Sequence, residues 1–185
     1  MTLIQIKPED FKVTAWSGGI TEEIWIDPLE ANFSKRDFIC RISTAVVEAD
    51  QSIFTKLSDY NRFIAPLNGS LSLTIEGAAV ELEPFEVFEF DGSCDVRSHA
   101  RPGLRDLNLM IRKGCRGNLK IMSSALTLDP LQVQVVLIIQ LDPLGRYLDI
   151  GPAFFKPQGI SSQNIEWSGD VAKGDCLFAV FTIPQ

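Results

Sequence analysis

The sequence predicts an all-β fold of antiparallel strands, and three observations lead there. Short runs rich in β-branched and aromatic residues recur along the 185 residues, at spacings of roughly ten. Gly, Pro, Asp or Asn bounds each run, as turn chemistry requires. No window carries the 3.6-residue apolar period of an amphipathic helix, and 8–11 and 54–58 suit single turns only.

In order, the predicted strands are 21–26, 38–46, 63–66, 70–76, 79–82, 87–90, 95–99, 107–112, 119–123, 133–141, 147–150, 153–156, 164–167 and 176–183. Turns are read at Asn68-Gly69, Glu76-Gly77, Asp91-Gly92 and Ser168-Gly169-Asp170. Many short strands of this kind form a sandwich or a barrel. A faint repeat refines the expectation. Residues 63–75 give an apolar run, a Leu-Asn-Gly turn and an alternating strand; 133–150 repeat the order around Leu-Asp-Pro-Leu-Gly. Two jelly-roll halves account for it. The predicted domains are therefore 1–113 and 114–185, joined at the charged, Gly-containing stretch 113–117.

The net charge is −7 and 45% of residues are hydrophobic. An acidic chain is a poor partner for nucleic acid or anionic membranes, which need clustered Lys and Arg. The opening MTLIQIKPED has charges where a signal peptide needs an apolar run. The longest apolar stretch, 133–141, contains Gln134 and Gln140 and is far below the ~20 residues of a membrane helix. The expectation is a soluble, cytoplasmic protein.

The four cysteines, Cys40, Cys94, Cys115 and Cys176, form no CxxC pair, and His99 is the single histidine. That set disfavours a zinc site, so no metal or cofactor is expected. Cys40 and Cys176 read as small core residues and His99 as an exposed strand-end residue.

The most informative stretch is 105–112. Side chains alternate along a strand, so Leu107, Leu109 and Ile111 share an apolar face. Asp106, Asn108, Met110 and Arg112 share the other, which is either solvent surface or the wall of a polar pocket. Similar faces recur upstream. Trp16 precedes Gly18-Gly19, a pair that lets the backbone turn and approach a ligand or another strand. Thr21, Glu23 and Trp25 are expected on one face, and so are Arg41, Ser43 and Ala45, and Tyr60 and Arg62. Phe88 and Phe90 point together ahead of a turn at Asp91. Arginine is a bidentate partner for carboxylates, and a barrel interior is where such positions converge.

These residues, taken as an ordered set, resemble the HutD/Ves family. The motifs are Trp16 with Gly18-Gly19, Thr21-x-Glu23-Ile24, Arg41-Ile42-Ser43-x-Ala45, Tyr60-x-Arg62, Leu67-x-Gly69, Phe88-x-Phe90-Asp91-Gly92 and Asp106-x-Asn108-Leu109-Met110-x-Arg112. They cover roughly 8–113. The resemblance implies a bicupin, two antiparallel jelly-roll (double-stranded β-helix) barrels in one chain, paired as a homodimer. It also implies a regulatory ligand-binding role in histidine utilisation, or a stress-response protein, with no established enzymatic activity. The chain departs from the family's usual Trp-x-Asn-Gly-Gly-Gly-x-Thr: Trp16-Ser17-Gly18-Gly19-Ile20-Thr21 is shorter and lacks the Asn. That loosens the link to histidine utilisation.

The expected function is metal-independent binding of a small carboxylate or amino-acid derivative. Arg41 and Arg62 would pair the carboxylate, with Arg112 in the same set. Asn108 would supply donor and acceptor; Trp16, Phe90 and Met110 apolar walls; Thr21 and Ser43 hydroxyls. Glu23 and Asp106 would hold the arginines or recognise an amine. The alternatives are a metal-free cupin isomerase or lyase with Glu23 or Asp106 as acid or base, and an interaction module whose interior is filled.

Overall fold

The computed structural model describes residues 3–4, 6, 8–122, 126–128, 135–141, 147–150, 153–155, 165–167 and 176–183, with side chains for residues 6 and 8–120. The turns expected at 142–146 and 168–170, and the side chain of Cys176, lie outside the described residues.

Strands dominate. In chain order they are β1 (Leu3–Ile4), β2 (Lys12–Trp16), β3 (Gly19–Asp27), β4 (Cys40–Val47), β5 (Gln51–Ile53) and β6 (Tyr60–Pro66). Next come β7 (Leu71–Ile75), β8 (Ala78–Leu82), β9 (Phe88–Asp91), β10 (Val96–His99), β11 (Leu104–Arg112) and β12 (Arg116–Met122). The last are β13 (Leu126–Leu128), β14 (Val135–Leu141), β15 (Tyr147–Ile150), β16 (Ala153–Phe155), β17 (Ile165–Trp167) and β18 (Cys176–Ile183). The described strand pairs are antiparallel. Helical turns occur at Pro8–Asp10, as expected, and at Phe33–Lys35; none forms at 54–58.

The chain divides into two compact units, Asp10–Lys113 and Met1–Glu9 with Gly114–Gln185. The sequence division placed residues 1–9 with the first half. The reason they group with the second is β1, which pairs with β16 through Leu3 opposite Phe154.

In the unit Asp10–Lys113, a six-stranded sheet has the order β2-β3-β4-β11-β6-β9, and a four-stranded sheet the order β5-β10-β7-β8. The core between them joins Val47, Ile64, Phe90 and Leu104 of the first sheet to Leu71, Leu73, Leu82 and Val96 of the second. The other unit holds β1-β16-β14-β18-β12, with β15 on β14, and the pair β13-β17. Among the described residues neither sheet of the first unit closes on itself, since β2 and β9, and β5 and β8, remain edges. In this unit the jelly-roll barrel expected from the sequence is observed as two open, antiparallel sheets.

The predicted alternation in β11 holds. Leu107, Leu109 and Ile111 are fully buried on one face. Strand β2 was not foreseen because it is an edge strand with every residue exposed, so its side chains leave no period to read. A second correction concerns Trp25. A bulge between Glu23 and Trp25 shifts the register, so that Glu23 lies opposite Ser43 but Trp25 opposite Ile42. The extra residue sends Trp25 to the face opposite Glu23.

The paired glycines serve packing. A Cβ on Gly18 would strike the ring of Trp16, and Gly19, at φ +151°, brings its Cα against the Val46 carbonyl. A Cβ there would lie 2.0 Å from that oxygen. Gly19→Ala is therefore expected to destabilise the protein by more than about 1 kcal/mol, measured as the loss of unfolding free energy in urea.

Candidate ligand-binding cavity

The paired strands bring the polar face of β11 into a set of cross-strand rows. One row runs Ile26, Arg41, Met110, Arg62, Phe90 across β3, β4, β11, β6 and β9. The next runs Lys12, Glu23, Ser43, Asn108, Ile64, Phe88, and a third Thr14, Thr21, Ala45, Asp106, Pro66. These rows face β5, β7 and β10 across a cavity of about 400 Å³. That volume is within the range of small-molecule sites.

Of the predicted site residues, Trp16, Thr21, Glu23, Arg41, Ser43, Arg62, Asp106, Asn108 and Met110 line this cavity. Phe90 lies behind Arg62 rather than in the wall. Arg112 is elsewhere. Its Nε donates to the Phe38 carbonyl at 3.0 Å and its Nη2 to that of Arg36 at 3.1 Å. The strand period gave its face correctly, but at the strand end the long side chain reaches the 33–38 loop instead.

That loop supplies residues not foreseen. Asn32, Phe33 and Ser34 line the cavity. Asn32 caps the turn Phe33–Lys35 by accepting from the Ser34 amide. Tyr60 donates its hydroxyl to the Arg36 carbonyl at 2.8 Å and stacks on Phe38. Phe54, Thr55, Ser52 and Ser98 come from the other sheet and the segment after β5. An Asn-Phe-Ser at a loop carries no periodic signal, so only the fold reveals it.

The two buried arginines differ. Arg41 is committed: Nε donates to Glu23 Oε2 at 2.6 Å, Nη1 to Ser43 Oγ at 3.2 Å, and the guanidinium lies 4.4 Å from the Phe33 ring centroid. Among the described residues, Arg62 makes no carboxylate contact; its Nη1 donates to the Thr55 carbonyl at 3.2 Å, and its buried Nε finds no hydrogen-bond partner there. Its guanidinium carbon is 4.9 Å from the Phe54 centroid and 5.2 Å from Phe90, a favourable setting for a desolvated cation. Burial lowers its pKa to about 10, with the charge of Asp106 opposing and that of Arg41 adding. It is still a cation at neutral pH.

Asp106 is 4% exposed. Its Oδ1 accepts from the Ala45 amide at 3.2 Å and from Asn108 Nδ2 at 2.6 Å. Burial pushes its pKa up to about 7, against the opposing pull of those hydrogen bonds, Arg62 and Arg105. Asp106 thus does not clamp an arginine, whereas Glu23 does. Among the described residues, no three His, Cys, Asp or Glu groups are placed to hold a metal ion. No helix among them is long and apolar enough to cross a membrane.

Residues 8–142 match the HutD family. The chain belongs to the HutD family. HutD from Pseudomonas fluorescens SBW25 (formate condition) overlays with a TM-score of 0.78 at 23% identity, each chain covered in full. A conserved protein of unknown function from Pseudomonas aeruginosa PAO1 gives 0.77 at 20%, again over both whole chains. At such identities these likenesses show the fold alone. The Cupin_2 domain of an XRE-family transcriptional regulator from Enterobacter cloacae covers 51% of this chain, and is itself 97% covered, at TM-score 0.41 and 12% identity; a likeness that distant carries no argument. Among curated proteins none matches the chain.

The Asp106 site makes a stability prediction. The folded protein holds the Asp106 proton far more tightly than an unfolded chain, where an aspartate titrates near 4. Between about pH 4 and 7 folding takes up a proton, so this group's contribution falls as pH rises and levels off above 7. Asp106→Asn removes that loss. The variant is expected to be more stable than the parent at pH 8, by at most about 4 kcal/mol, and equal to it near pH 4. Asp27, also raised by burial and by Glu30, adds a dependence of the same sign to both proteins. Melting temperatures from pH 4 to 8 give the difference.

Proposed function

We propose that this HutD-family protein binds a small carboxylate, such as an amino-acid derivative, without a metal, in the cavity of the unit Asp10–Lys113. The observation that carries the reading is Arg62: a buried guanidinium on the cavity wall which, among the described residues, has one N–H unpartnered and no carboxylate side chain paired with it. An unpaired buried donor on a cation is costly, and an oxyanion drawn to the guanidinium offsets that cost. Arg41, with Glu23 already on it, supports the site from the neighbouring row. Asn108, Thr21 and Ser43 supply polar contacts, and Trp16 and Met110 apolar ones. The two units are read as two cupin-type halves, cytoplasmic and paired as a homodimer. Membership of the family supports a regulatory role in amino-acid (histidine) catabolism, or a stress-response role, and the shortened Trp16–Gly19 turn loosens the link to histidine.

The test is a thermal-shift screen with histidine, urocanate, glutamate and N-formylglutamate, with and without divalent metals. A ligand that binds the native state raises the melting temperature. A metal-independent rise is expected, with affinity reduced tenfold or more in Arg62→Gln. A ligand whose affinity is unchanged in that variant would sink the reading.

One observation favours a second reading. Asp106 is poised near neutrality within the electrostatic influence of the Arg62 guanidinium, the condition of a general acid–base group. Glu23, held by Arg41, is the weaker choice. An isomerase or lyase of this kind would lose turnover, but not binding, in Asp106→Asn. A bound ligand recovered chemically unchanged after prolonged incubation speaks against catalysis.

A further inference from the structure

We infer that the cavity takes up its anion together with a proton, which Asp106 shares with the ligand. The inference rests on the carboxylate-binding reading and adds a regulation to it.

The buried charges set the argument. Arg41 and Arg62 are the buried cations of the cavity wall; Glu23 and Asp106 are its acids. With Asp106 ionised, two cations meet two anions and the interior is neutral. With Asp106 protonated, one positive charge is left over. Glu23 is already engaged, its Oε2 lying 2.6 Å from the Arg41 Nε. An anion is therefore attracted to the interior only in the protonated state.

Geometry points the same way. Asp106 Oδ1 is occupied by the Ala45 amide and the Asn108 amide. No hydrogen bond to Oδ2 is formed by the described residues, and Asp106 lines the cavity. Arg62 and Asp106 line the same cavity and act on one another electrostatically, so a carboxylate drawn to Arg62 also comes under the influence of Asp106. Two carboxylates brought close together in a poorly solvated site do not both remain ionised. A proton from solvent, held on Oδ2, turns the repulsion into an O–H···O⁻ hydrogen bond, which is short and strong.

The charged groups that face Asp106 are few. Arg62 comes from β6, Arg41 from β4, Glu23 from β3 and Lys12, exposed at the mouth, from β2. Ser98 of β10, within the opposite sheet, is uncharged. Arg105 on its own strand also acts on it, and Arg105 Nη1 donates to Glu22 at 2.8 Å. Asp106, brought near 7 by its burial, is the group to which the pH dependence is assigned.

The probe is acetate, which stays ionised throughout, with chloride at equal concentration as the control. Binding is read from the acetate-dependent rise in melting temperature at pH 6 and pH 8. The parent is expected to bind about tenfold more weakly at pH 8, since one proton is required over one pH unit above the midpoint. Asp106→Asn, which keeps the acceptor for Ala45 and Asn108, is expected to bind alike at both. In case the variant does not fold, calorimetry of the parent at pH 8 in two buffers of different ionisation enthalpy counts protons directly. Uptake of about one proton per acetate is expected. Equal affinity at the two pH values, or no proton uptake, overturns the coupling and leaves the binding reading standing. If neither acetate nor any carboxylate of the screen stabilises the parent at pH 6, the binding reading falls, and the coupling with it.

Discussion

Two guanidinium groups buried in one cavity constrain everything around them. An unpaired charge taken out of water costs several kcal/mol, so each arginine must be neutralised, stacked or hydrogen-bonded. Arg41 is given all three, by Glu23, Phe33 and Ser43. Arg62 receives two aromatic rings and one carbonyl, and its Nε has no partner among the described residues. The imbalance between these neighbours, separated only by Met110 in one row, is the physical origin of the site.

The sheet makes this arrangement possible through register. Arg41 and Arg62 come from strands that flank β11, so a shift by a single residue in either pairing would exchange a guanidinium for a side chain of the other face. The register is fixed by the opposite face, where Ile42, Leu107 and Leu109 are fully buried. Thr44 adds a pin, its hydroxyl donating to the Asp106 carbonyl at 2.6 Å. Apolar burial on one face therefore sets the position of charge on the other. The bulge after Glu23 is part of the same design. It lets Glu23 lie one row from Arg41 while Ile26 joins Phe38, Leu57, Tyr60 and Met110 in a core cluster.

Period-two alternation made much of the site legible. Asp106, Asn108 and Met110, Arg41 and Ser43, and Thr21 and Glu23 each follow from strand parity, and the structure brings them to one wall. Parity cannot show a bulge, so Trp25 was placed on the wrong face. It cannot show reach, so Arg112 was counted with the site when its guanidinium ties the 33–38 loop to the sheet. It is silent on loops, so Phe33 and Asn32 were missed. Open sheet edges were equally invisible, because strand count and spacing are the same for a sandwich as for a closed barrel.

The cavity itself bears on the choice between a binding protein and a filled interaction module. A domain of this size has apolar material enough to fill its interior. Val47, Leu57 and Leu71 do reach the cavity, yet Arg41, Arg62, Glu23 and Asp106 share it. Replacing such groups with apolar ones of similar volume is often neutral or stabilising. Asp106, with its acidity suppressed by burial, is an added cost to the folded state above pH 7. A module that worked only through its outer surface has no use for these costs. A protein that must recognise a small anion does, because the same desolvation that penalises Arg62 and Asp106 strengthens their contact with a ligand.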